Sequence, residues 1–158
     1  MGNKKITIII FSGELDKALA AFNIATGAAT MGMDVTMFFT FWGLNIIRKD
    51  QKPKSKGVLK KLLSLMNKGG TKHLPLSRFH MLGIGQKMMR KLMKDSKIPS
   101  VDEMIVVAKE LSVKFVACTT TMGLMDITKE TLIEEVDAFA GVATYIDEAK
   151  DGQINLFI

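Results

Sequence analysis

Lys5 to Phe11 is, after its lysine, an unbroken β-branched and aromatic run. Glu14 to Met31 follows directly, with Leu15, Ala18, Leu19, Phe22, Ala25 and Ala29 at helical spacing. The first run reads as a buried strand and the second as an amphipathic helix. Gly32 supplies a helix C-cap, and Asp34 to Thr40 forms a second apolar strand that ends in Phe38, Phe39, Phe41 and Trp42. A β-α-β start of this kind commits the chain to parallel pairing, which is stable only when both faces of the sheet are covered.

The same alternation resumes late in the chain. Pro99-Ser100 caps a helix over Val101 to Leu111, with Asp102 and Glu103 at the positive end of its dipole. Val113 to Ala117 is a short buried strand running into Cys118 and Thr119-Thr120-Thr121, with a short helix expected as far as Ile127. Lys129 to Glu135 reads as helix, Val136 to Phe139 as a fourth strand, Gly141 to Lys150 as helix and Ile154 to Ile158 as a terminal strand. The expected architecture is α/β, a mainly parallel doubly wound sheet of about five strands. At 158 residues this is one domain.

Between the two halves the character changes. After a short helix near Leu44 to Arg48, the stretch from Asp50 to Pro75 is rich in Lys, Gly, Ser and Pro around one amphipathic helix, Val58 to Met66. Ser77 to Lys94 reads as another, with Met81, Ile84, Met88 and Leu92 on one stripe and Lys87, Arg90, Lys91 and Lys94 largely off it. We treat residues 49–98 as a basic helical insertion. From Arg48 to Lys97 there are 15 bases and 2 acids, a net +13, whereas the rest of the chain carries −7 within an overall +6. Such a segment is either a pair of solvated helix faces or a docking surface for an acidic partner or a membrane. Nucleic acid is not expected, because the segment has one aromatic residue, Phe79, and no recognised binding motif.

Cys118 is the one cysteine, so no intramolecular disulfide exists and a reducing, cytoplasmic compartment is expected. The apolar run near the N-terminus is too short for a signal peptide, and no stretch reaches membrane-spanning length. Cys118 is also the best chemical candidate, since it follows a strand and precedes a helix, where ligands gather in open α/β sheets. Backbone N–H groups there favour thiolate, and Thr119, Thr120 and Thr121 add hydroxyls. The alternative is a small buried hydrophobe. Phe41 and Trp42 would end on the same rim and roof the thiol or fill a subunit contact. His73 and His80 make no metal site of usual spacing, and Gly83-Ile84-Gly85 is helix punctuation rather than a dinucleotide fingerprint. No metal or cofactor is expected. The scattered methionines suit core packing or an adaptable partner groove.

Three groups of residues then carry a resemblance over nearly the whole chain: Ile6-Thr7-Ile8-Ile9-Ile10-Phe11-Ser12-Gly13, Phe38-Phe39-Thr40-Phe41-Trp42-Gly43-Leu44, and Val116-Ala117-Cys118 with Met122 and Met125-Asp126-Ile127. With the close at Gly141 to Tyr145 and Asn155 to Ile158, the sequence resembles the DsrE/DsrF-like sulfur-relay family, in the subgroup with a long insertion after the second strand. The resemblance implies a flavodoxin-like three-layer sandwich and a homotrimer or homohexamer. It also implies a sulfurtransferase or sulfur-carrier activity, with Cys118 holding sulfane sulfur as a persulfide. Partners would be TusA-like or rhodanese-like donors and acceptors. A second cysteine seen in some relatives has no counterpart here, so a resolving thiol must come from another molecule. The competing expectation is a non-catalytic oligomeric binding module that docks a membrane surface or an acidic protein through the insertion.

Overall fold

The structure, a computed structural model, describes residues 4–50, 68–79 and 81–158. Its β-strands are β1 (Lys5–Ile10), β2 (Asp34–Phe39), β3 (Lys114–Cys118), β4 (Ala138–Ala140) and β5 (Ile154–Phe157). The helices are α1 (Leu15–Thr30), α2 (Ile84–Asp95), α3 (Val101–Glu110), α4 (Thr119–Met125) and α5 (Val142–Ala149). All pairings are parallel, in the order β4-β3-β2-β1-β5.

Strand alternation sorts the apolar residues into two layers. Ile6, Ile8, Ile10, Val35, Met37, Phe39, Phe115 and Ala117 point to one face and pack with Leu15, Phe22, Met104 and Ile105 of α1 and α3. Phe115 is the hub, meeting Phe22 edge-on at 5.9 Å and Phe39 at 5.4 Å. Each such fully buried ring contributes about 1.5–3 kcal/mol of transfer free energy. The opposite face presents Thr36, Phe38, Val116 and Cys118, and the helix laid over it is α5, through Tyr145 and Ala149.

This topology fixes a switch point. Among the described residues, α1 after β1 and α3 before β3 lie on the first face, where Met122, Ile127 and Leu132 of the β3–β4 link also join the core. Only β4 exits to the second face, through α5, which returns the chain to β5 at the far edge. Right-handed crossovers demand that reversal. It falls between β3 and β4, whose carboxyl ends pair Cys118 with Ala140.

Several local expectations are borne out. The chain leaves α1 through Gly32 at φ +77°, and Ser100 caps α3 with a reciprocal box, accepting from Glu103 N–H while donating its own N–H to the Glu103 carboxylate. Others shift. The short helix at Leu44 to Arg48 is a 3₁₀ segment, Phe41–Ile47. The helix expected from Ser77 begins only at Ile84, because the Asp16 carboxylate ties down Ser77 through both its N–H and its hydroxyl. Gly85 then packs where an added Cβ would stand 1.8 Å from the Phe79 carbonyl oxygen. Lys129 to Glu135 is helical only as a 3₁₀ turn over Lys129–Thr131, since Lys49 N–H and the Ile47 carbonyl claim the backbone groups of Thr131 and Ile133. The fourth strand starts at Ala138, after Asp137 has folded back to accept the Phe115 N–H. The helix expected at Val58 to Met66 lies outside the described residues.

The insertion residues that are described are anchored to the body. Leu74 is buried in the main core, the Thr71 hydroxyl donates to Asp102, Arg90 donates to the Thr71 carbonyl, and Pro75 accepts the Leu15 N–H. The stripe of Met81, Ile84, Met88 and Leu92 faces out, and Met93, off the stripe, turns inward.

Candidate functional site

Cys118 closes β3 and is the N-cap residue of α4. Its side chain points to the thinly covered face and is buried, 4 % exposed, among Phe38, Val116, Tyr145 and Ala149. Burial in apolar surroundings alone raises a thiol pKa. Here hydrogen bonding reverses the outcome: the Thr121 N–H, the Thr40 and Thr121 hydroxyls and the Thr120 N–H together hold the Cys118 thiol below its ordinary value. These donors favour the charged, thiolate form.

The hydroxyls form a chain. Thr121 Oγ1 donates to Cys118 Sγ at 3.6 Å, and Thr40 Oγ1 lies 2.9 Å from Thr121 Oγ1. The Phe41 N–H reaches the same Thr121 oxygen at 3.4 Å. With its oxygen accepting from β2's end, Thr121 is free to spend its proton on sulfur.

The approach of β2 has its own local cause. The register pairs Phe39 with Ala117, which brings the next residues, Thr40 and Cys118, side by side on one face. Phe41 then takes φ +46°, uncommon for a non-glycine residue, and turns the chain across the end of β1. Gly43 makes that crossing possible, since an added Cβ would stand 2.0 Å from the Ile10 carbonyl oxygen.

The expected site residues therefore divide. Thr121 is buried and bonded to sulfur. Thr120 contributes its N–H while its side chain is exposed, and Thr119 is exposed. Phe41 joins the site through its N–H, and its ring stacks at 5.1 Å on Phe11, which meets Phe157 at 5.5 Å, making an aromatic rim. Trp42 is 40 % exposed, with its backbone against Gly13. Thr40 is the residue that sequence reasoning missed. Its only signal was its place at the end of an apolar strand, like Cys118. Among the described residues no group of three or more His, Cys, Asp or Glu could hold a metal ion, and no helix is long and apolar enough to cross a membrane.

The molecule is thus a parallel five-stranded α/β sheet with Cys118 at the end of β3, beside the switch point. The chain matches the DsrE/DsrF/DrsH-like family over residues 2–157 and belongs to it. It is 42 % identical to the uncharacterized protein YrkE of Bacillus subtilis, over 98 % of this chain and 97 % of that one. It is 35 % identical to the sulfur carrier protein DsrE2 of Allochromatium vinosum over the full length of both. Among solved structures it is similar in fold to MTH1491 of Methanobacterium thermoautotrophicum, a protein of unknown function, with TM-score 0.55 and 12 % identity over 99 % of this chain and 100 % of that one. The ychN protein of E. coli is similar at TM-score 0.55 and 14 % identity, over 98 % and 99 % of the two chains.

Proposed function

We propose that this chain is a sulfur carrier that accepts sulfane sulfur on Cys118 and passes it to a partner thiol. One observation carries the reading: Cys118 Sγ sits at the end of β3 with backbone and hydroxyl donors aimed at it, so that burial is outweighed and the thiol pKa falls. Full-length similarity to a protein named as a sulfur carrier adds support.

In the reaction, Cys118 thiolate attacks the terminal sulfur of a donor persulfide. The donor S–S bond breaks, the donor cysteine leaves as thiolate, and Cys118 becomes a persulfide with no net oxidation. An acceptor thiolate then attacks that outer sulfur and Cys118 departs as thiolate. The donors from Thr121, Thr40 and Thr120 stabilise Cys118 as attacking and as leaving group, and the rings of Phe11, Phe41 and Phe157 border the rim. Donor and acceptor are TusA-like or rhodanese-like proteins, and the compartment is the cytoplasm. Val142, Ile146 and Phe157, exposed near the same face, suit the subunit contact of a homotrimer or homohexamer.

Intact-mass measurement after incubation with a persulfide donor tests the proposal. The wild type gains about 32 Da per sulfur, reversibly by dithiothreitol, and Cys118→Ser gains nothing. A wild type left unmodified by several donors would return Cys118 to a packing role and leave a binding module.

A further inference from the structure

We infer that the cleft between α2 and the start of α3 binds a small soluble phosphate ester with an aliphatic body. The cleft encloses about 690 Å³, within the range of about 300–1,000 Å³ usual for small-molecule sites. Its lining joins three cations, Arg90, Lys94 and Lys97, to an apolar wall of Met93, Ile98 and Pro99. Neither Cys118 nor any of its hydrogen-bond donors lines it, so this ligand is separate from the sulfur.

The cations are short of negative charge. Ser100 and Glu103 complete the lining, but the Glu103 carboxylate is occupied, accepting from the Ser100 N–H at 2.7 Å and its hydroxyl at 2.8 Å. Among the described residues no ion pair takes up Lys94 or Lys97. Arg90 is half-buried and held in place by its bond to the Thr71 carbonyl at 2.7 Å. Burial works against its charge and Asp102, which also accepts from the Thr71 hydroxyl, offsets that only in part. An anion beside a desolvated guanidinium supplies the missing compensation.

Lys97 carries a further sign. The chain leaves α2 through a Schellman turn, with the Ile98 N–H on the Met93 carbonyl at 2.8 Å and the Lys97 N–H on the Lys94 carbonyl at 3.1 Å. Lys97 therefore stands at φ +55°, in the left-handed position where glycine is the usual and less strained residue. A lysine there bears a backbone cost and gives the cleft its third cation. The planar fork of Arg90 with two ammonium groups suits the several oxygens of one phosphate. A dicarboxylate would have to lay its second charge on the apolar wall. No aromatic ring is among the described residues of the lining, so a nucleobase has nothing to stack on and an aliphatic body fits instead.

Titration of the full chain, read by the amide shifts of Ile98 and Ser100, is the test. Butyl phosphate should saturate one site, inorganic phosphate should bind at least about tenfold more weakly for want of the chain, and butanol should leave both shifts unmoved. Lys94→Ala and Lys97→Gly should each weaken butyl phosphate binding about tenfold. Lys97→Gly should at the same time raise the melting temperature of the ligand-free protein, since it relieves the left-handed backbone. That pairing separates a ligand residue from a merely structural one. Cys118→Ser should bind butyl phosphate like the wild type, which keeps the result independent of sulfur uptake. The proposal is overturned if butyl phosphate does not saturate, if succinate binds as tightly, or if Lys97→Gly binds unchanged.

Discussion

Thr40 Oγ1 lies 2.9 Å from Thr121 Oγ1, joining residues 81 positions apart into one donor chain that ends on Cys118 Sγ. Removing its links should therefore have graded effects. Thr121→Val deletes the hydroxyl on sulfur and should slow iodoacetamide alkylation at neutral pH about tenfold, the scale of one charge-assisted hydrogen bond. Thr40→Val should slow it less, and Thr121→Ser should stay near wild type. Equal rates in all three would remove the hydroxyls from the account of thiolate stabilisation.

The lowered Cys118 pKa also sets a pH dependence of stability. The folded thiol ionises below the unfolded value of about 8.5, so between the two values the unfolded chain holds more protons and stability rises with pH. Below the folded pKa the contribution vanishes; above the unfolded value it is complete. The melting-temperature difference between wild type and Cys118→Ser should widen as pH climbs from about 6 to about 10. A difference that narrows on that path contradicts a depressed pKa.

Gly43 is where the β2 rim crosses β1. An added methyl meets the Ile10 carbonyl oxygen at 2.0 Å, and neither backbone can yield without moving the sheet. Gly43→Ala should cost about 3 kcal/mol or more in urea unfolding. Because Thr40 and Phe41 precede the crossing, the variant should also lose Cys118 reactivity at temperatures where it remains folded.

Tyr145 holds α5 over the Cys118 face. Its hydroxyl lies 3.0 Å from Thr7 Oγ1, and its ring sits 4.8 Å from Phe38. Tyr145→Phe should lose about 1 kcal/mol, one buried hydrogen bond, because Thr7 keeps its bond to Asn155. Tyr145→Ala should lose about 3–5 kcal/mol by analogy with other aromatic truncations and should increase thiol access to bulky reagents. Denaturant titration and the rate with a bulky disulfide reagent measure the two effects.

The elements legible in the sequence were those whose signal is local. The run from Lys5 and the spacing from Leu15 state a strand and a helix because side-chain direction repeats every two or 3.6 residues. The Ser100 cap and the Gly32 exit were equally readable, since each is a bond between near neighbours. The segment from Lys129 was misread because Arg48 bridges to Leu132, a contact no window of sequence contains. The delayed start of α2 has a similar origin in Asp16 and Ser77.

Cys118 at a strand end, the charge divided between body and insertion, and the parallel α/β class all follow from residue order alone, because local periodicity and composition encode them. Only the tertiary structure decided that Thr40 rather than Thr119 completes the sulfur site, and that the apolar stripe of α2 faces outward. Both depend on which elements lie beside one another. Strand register places Thr40 next to Cys118, and the anchoring of Thr71, Leu74 and Arg90 turns α2 on its axis.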